Sequence, residues 1–236
     1  MSDTPVDPRW AEVLRLAAHE LRNSMTAVSG YLRMMLMDRT GTLSERQREY
    51  LELAQKSCGR VTSVIEEAST LAKYEEGTVT FRVQPTDLRD ALKRAVDQLP
   101  PLPSHDVTIH LHVDENPAVL PADPTRLTDA LTWIIAALRR EVIVQEGLTI
   151  RHRRTPGGHD ITLGDPQTLA AFDGEPDDAR GAFDEWRGGV GLSLLLARRI
   201  IQRHGGRVHG PADGRKTGAR IVFGEMPQGS APISNS

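Results

Sequence analysis

From residue 10 onward, apolar side chains recur in steps of three and four: Trp10, Leu14, Ala17, Leu21, Met25, Val28, Leu32 and Met35. That spacing draws one continuous stripe along a long amphipathic helix. Asp7 is placed to cap it, with Pro8 at the first helical position, where a missing N–H costs nothing. The polar stretch Asp38 to Leu43 (DRTGTL) breaks the helix, and Ser44 with Gln47 has the spacing of a capping box for a second one. Tyr50, Ala54, Cys58, Val61, Ile65, Ala68 and Ala72 carry the stripe of this second helix. Two such stripes on a short-loop hairpin cannot bury each other completely. The pattern therefore predicts a homodimeric four-helix bundle, the alternative being packing on the rest of the same chain.

After Glu75-Glu76-Gly77 the period changes and strands alternate with helices. A strand is predicted over Thr78 to Val83, a helix over Asp87 to Leu99 and a strand over Val107 to Val113. A helix from Pro124 to Arg140, capped by Asp123, comes next. Leu148 to Arg153 and His159 to Leu163 make a hairpin over the turn from Thr155 to Gly158, and a polar, acidic segment follows. A helix from Gly191 to His204 and strands near Arg207 and over Ala219 to Phe223 complete the pattern. The fold class expected is α+β: an N-terminal helical hairpin forming a dimeric four-helix bundle, then an α/β sandwich with helices on one face of a sheet. The expected divisions are a flexible start (1–9), the hairpin domain (10–76), the α/β domain (77–227) and a disordered tail (228–236).

Composition narrows the partners. With 32 acidic against 29 basic residues and a net charge of -3, no nucleic-acid or anionic membrane surface is expected. Cys58 is the only cysteine, which excludes an internal disulfide and fits a reducing cytoplasm. No run approaches the ~18 apolar residues needed to span a bilayer, so no membrane insertion is expected and the localisation expected is cytoplasmic.

Candidate chemistry centres on His19-Glu20-Leu21-Arg22-Asn23. His19 lies about 200° around the helix from both Ala17 and Leu21, so it projects away from the apolar stripe toward solvent. An exposed imidazole beside a carboxylate can attack a phosphoryl group, with Glu20 taking the ring proton. Asn23, one turn on along the same face, can orient a water. A solvated helix histidine is the plain alternative. His110 and His112 share one strand face but have no third ligand, so no metal site is expected.

The stretch from Ala18 to Leu32 (AHELRNSMTAVSGYL) resembles the phosphoacceptor motif of two-component histidine kinases. Arg48 to Leu51 (REYL) and Leu71 to Gly77 (LAKYEEG) are similar to that family's dimerisation helix and the linker leaving it. The resemblance implies that His19 is phosphorylated, that Glu20 is the base and that Asn23 governs phosphatase activity. Ser24 stands where the family usually has a helix-bending proline. The rest of the chain resembles the family's ATPase domain, with departures. Trp133 and Ala137 stand at the places of two asparagines, the second of which holds Mg²⁺ in the family, and neither has an oxygen donor for it. Asp165 aligns with the aspartate that hydrogen-bonds adenine, although a turn aspartate ending a strand is an equal reading. Gly188 to Leu194 (GGVGLSL) resembles the second glycine box, so Gly189 and Gly191 are candidate cofactor-binding residues. Their backbone N–H groups can cradle a phosphate, or the cluster can be a plain hinge. Asp173, Glu175, Asp177, Asp178, Asp184 and Glu185 load the lid with negative charge, opposed by Arg180 and Arg187, which disfavours a triphosphate.

The resemblance implies a phosphotransferase or phosphatase-type pseudokinase in a phosphorelay, exchanging phosphoryl groups with response-regulator receiver domains. The signal would come from another protein, such as an upstream sensor kinase, or through the second domain. ATP and Mg²⁺ remain conceivable cofactors for an alternative, ATP-dependent autokinase, and a non-catalytic regulator-binding module is a third reading.

Overall fold

The first helix, α1 (Pro8–Leu36), ends where Asp38 and Gly41 adopt left-handed backbone angles, φ 55° and 122°. Arg48 fastens this turn, its guanidinium gripping Asp38 at 2.7 Å and donating to the Leu36 carbonyl at 3.0 Å. The capping box at Ser44 and Gln47 then forms as its sequence predicts and opens α2 (Glu45–Glu75). This computed structural model describes residues 8–39, 41–102, 107–142, 147–174, 181–185, 191–212 and 218–224. The expected cap Asp7, most of the start and the C-terminal tail lie outside the described residues. The chain divides into two compact units, Met1–Val79 and Thr80–Ser236.

Within the first unit α1 packs along α2, and the apolar arc of α1 proves wider than one stripe. Ala11 and Ala18 are buried, with Leu14, Met25, Leu32 and Leu36 half-buried on the same side. Opposite them stand Ala54, Cys58, Ile65 and Ala72 of α2. A second row beside this seam stays in the open: Trp10 is 57% exposed, Leu21 54% and Val28 43%, matched on α2 by Leu53 and Val64. The predicted stripe thus merges two rows, one closing the hairpin and one left without an intrachain partner.

The second unit holds a five-stranded sheet in the order β2-β4-β5-β7-β6. Its strands are β2 (Ile109–His112), β4 (Leu148–Thr155), β5 (Gly158–Gly164), β6 (Gly206–His209) and β7 (Ala219–Gly224). Only β2 and β4 run parallel. A two-stranded ribbon pairs β1 (Gln84–Asp87) with β3 (Val119–Ala122). Helices α3 (Leu88–Asp97), α4 (Pro124–Glu141) and α6 (Ser193–Arg203) supply the core with Leu88, Leu92, Leu127, Leu131, Ile134 and Ile201, and the sheet adds buried Ile150, Ile161 and Ile221.

Four elements differ from the sequence pattern, the first being β1, which forms over Gln84–Asp87 where no strand is predicted. Thr78 to Val83 is not a strand, because its backbone is tied elsewhere: the Arg82 N–H donates to the Asp123 carboxylate at 2.9 Å, and the Phe81 ring meets His204 edge-on. The short β3 was absent from the prediction. So was α5 (Pro166–Gly174), which occupies the start of the segment read as polar and irregular.

Candidate functional site

His19 projects from the middle of α1 with its side chain 65% exposed, beside Glu20 at 70%. The helix lattice alone brings the trio together, because residues one and four apart need no tertiary contact to meet. Glu20 Oε1 lies 3.3 Å from His19 Nδ1, and Asn23 Nδ2 lies 3.4 Å from the same nitrogen. Those two contacts call for opposite tautomers. A protonated Nδ1 donates to Glu20 and leaves Nε2 with a free lone pair, whereas a bare Nδ1 accepts from the Asn23 amide and moves the proton to Nε2. Only the first form is nucleophilic at Nε2, which has no partner among the described residues. Ser24 donates its hydroxyl to the Glu20 carbonyl at 3.2 Å, so the helix runs on through the place where a proline would break that ladder.

The nucleotide-type residues are placed differently. On α4, Ala137 is fully buried and Trp133 is half-buried. Neither position offers an oxygen, and these two residues do not fit a magnesium ion. The Asp165 carboxylate accepts the Thr168 N–H at 2.7 Å, and its carbonyl accepts the Leu169 N–H at 3.0 Å, the contacts of a helix cap on α5. Buried Thr168 and Phe172 of α5 crowd Gly218, where an added Cβ would clash with Thr168 Cγ2. Gly191 is left-handed, φ 64°, just ahead of α6, which has no side-chain cap. Gly189 lies outside the described residues, as do Glu175, Asp177, Asp178, Arg180 and Arg187.

The described acids of the lid segment do not form a bare negative face. Asp173 pairs with Arg151 at 2.8 Å and Arg153 at 3.2 Å, and Glu185 pairs with Arg198. Burial tends to raise the Asp173 carboxyl, but these arginines outweigh it and hold the group below its ordinary range. His110 and His112 stand exposed on edge strand β2, and no group of three or more potential metal ligands occurs among the described residues. No helix there is long and apolar enough to cross a membrane.

The chain thus joins a helical hairpin, which carries an exposed histidine beside a carboxylate, to a mixed α/β unit. Residues 9–77 match the His Kinase A (phospho-acceptor) domain family. The chain is 25% identical over 214 residues to the sensor protein GacS of Pseudomonas syringae pv. syringae, an alignment covering 84% of this chain and 23% of GacS. Its fold matches that of full-length ShkA in complex with AMPPNP, with a TM-score of 0.63 at 22% identity, over 92% of this chain and 45% of ShkA. It also matches the histidine kinase ThkA, solved in complex with the response regulator protein TrrA (TM-score 0.54, 17% identity, 90% of this chain and 60% of that one). This chain is a homologue of the sensor histidine kinases, with a phospho-acceptor domain and an ATPase-type second unit. It spans about a quarter of the length of GacS.

Proposed function

We propose that this protein works in two-component signalling as a homodimer that carries a phosphoryl group on His19 to or from the receiver-domain aspartate of a response regulator. The observation that carries this reading is the arrangement at His19: Nδ1 beside Glu20, Nε2 uncommitted, the ring exposed on a rigid helix. In the loading direction the Nε2 lone pair attacks the phosphorus of an aspartyl phosphate. The N–P bond forms, the bond from phosphorus to the acyl oxygen breaks, the aspartate leaves as carboxylate and Glu20 takes the Nδ1 proton. Asn23 competes for Nδ1 and favours the tautomer that cannot attack, and in the loaded state its amide can steer water to phosphorus. The exposed row of Trp10, Leu21 and Val28 supports a second hairpin completing a four-helix bundle. ThkA, a structural relative solved with a response regulator, supports a receiver domain as partner.

A second reading, ATP-dependent autophosphorylation, is supported by the alignment with GacS, which extends over 84% of the chain and so into the second unit. Trp133, Ala137 and the capped Asp165 weigh against it. One experiment separates the two. Wild type and His19→Gln are incubated with phosphorylated receiver domains, and separately with labelled Mg-ATP. The expected result is acid-labile label on wild type from the receiver, more than about a hundredfold less on His19→Gln, and little from ATP. Label that persists in His19→Gln removes His19 from the mechanism, and rapid loading from Mg-ATP promotes the autokinase.

A further inference from the structure

We infer that Arg15 is a phosphoryl-binding residue of the His19 site, held in place by Glu76, an inference that rests on His19 being the phosphoryl carrier. Arg15 precedes His19 by four residues and therefore lies on the same face, about 40° round the helix, with Cβ atoms about 5–6 Å apart. Asn23 has the same offset on the other side and is the neighbour that meets Nδ1. Helical side chains lean toward the N-terminus, so the His19 ring covers the turn that Arg15 begins.

The guanidinium is anchored without being used up. Its Nε–H donates to Glu76 Oε1 at 3.3 Å, with side chains 55% and 26% exposed. Glu76 is the C-cap of α2, and its own N–H bonds to the Ala72 and Tyr74 carbonyls, so the anchoring carboxylate sits on an ordered turn. That is the one contact of the Arg15 side chain among the described residues, which leaves both terminal amino groups uncommitted. Arg48 differs, because its terminal nitrogens are spent on Asp38 and the Leu36 carbonyl.

The site has a need that such a group meets. A phosphoryl group arriving at Nε2 brings up to two negative charges close to the Glu20 carboxylate, which repels it. A guanidinium one turn away offsets that repulsion and presents paired N–H donors to phosphoryl oxygens. Without this role, Arg15–Glu76 would be an ordinary exposed ion pair of negligible consequence for the chemistry.

The test loads the full chain from phosphoramidate, which needs no partner protein. The P–N bond to ammonia breaks, the bond from phosphorus to Nε2 forms and ammonia leaves. Arg15→Gln, Arg15→Lys and Glu76→Gln are compared with wild type for the rate of acid-labile labelling at several salt concentrations. Circular dichroism and light scattering check that helix content and mass are unchanged. The expected result is loading slowed about tenfold in Arg15→Gln with its salt dependence flattened, much of the rate retained in Arg15→Lys, and an intermediate rate for Glu76→Gln. Arg15→Gln loading at the wild-type rate with the same salt dependence overturns the role of Arg15 and leaves His19 as carrier intact. Wild type that takes no label on His19 from either phosphoramidate or a phosphorylated receiver overturns the carrier reading and Arg15 with it.

Discussion

The two units treat polar groups in opposite ways. In the helical hairpin His19, Glu20 and Asn23 stand in solvent, and their hydrogen bonds to one another join helix neighbours. In the α/β unit the corresponding polar residues are absorbed into structure. Asp165 caps α5, Asp123 caps α4, and Asp160 grips Arg220 with two hydrogen bonds on adjoining strands of the sheet. His204 is consumed as well: its Nε2 accepts the Asp123 N–H at 2.9 Å and its Nδ1–H donates to the Ile200 carbonyl at 2.8 Å. An exposed group keeps its lone pairs for a partner, whereas a buried one must spend them on the fold. The contrast is consistent with the proposal that phosphoryl chemistry belongs to the first unit, while the polar groups named in the second serve its structure.

The contrast can be broken hardest at the exposed row of the hairpin. Replacing Leu21 and Val28 together by Asp puts charges where a second hairpin is expected to pack, at a cost of several kcal/mol or more. Light scattering should then report monomer or aggregate in place of dimer, and an unchanged dimer mass would rule out the bundle. A smaller effect is expected in the second unit. Asp160→Ala removes the carboxylate that takes two Arg220 hydrogen bonds in a site where both side chains are at most 10% exposed. It should lower the stability of that unit by about 3 kcal/mol in urea melts while leaving His19 loading from phosphoramidate near wild type. Loss of loading in parallel with stability would erase the division of labour between the units.

Acid should produce the smallest effect and act on the second unit. Burial pushes His204 below its ordinary range, partly opposed by the Ile200 carbonyl and Asp123, and burial together with neighbouring His159 pushes His152 down as well. The unfolded chain therefore binds more protons than the native one just below the ordinary histidine pKa of 6.5. Stability from these two histidines is complete above that pH and falls as pH drops through and below it. The urea midpoint of the second unit should be lower at pH 5.5 than at pH 7.5. A midpoint that rises on acidification would show that neither ring is held neutral.

The N-terminal hairpin was legible because its signals are local. The capping box at Ser44, the polar turn after α1 and the exposed face carrying His19 all follow from the helical period, and so does the His19–Glu20–Asn23 cluster. In the α/β unit the helix cap Asp123 and the β4–β5 hairpin were also readable, whereas Asp87, placed inside the third helix by the pattern, is its cap. Helix α5 was missed although its signal was present: Asp165-Pro166 repeats the Asp-Pro opening of Asp123-Pro124, and the acidic composition that follows obscured it. The likeness between Asp165 and an adenine-binding aspartate had no way to report that Thr168 would claim its carboxylate.

The sequence by itself determined the hairpin, the α+β order and the three residues at the histidine, because each depends on contacts within a few positions along one element. Tertiary structure decided which of two apolar rows on α1 closes the hairpin, why Thr78 to Val83 leaves the sheet for Asp123, and how Arg15 comes to share the end of the hairpin with Glu76. Those outcomes depend on partners tens of residues away, 61 in the case of Arg15 and Glu76. Periodicity carries no information about which distant carboxylate or carbonyl a side chain will meet, because only packing selects among them.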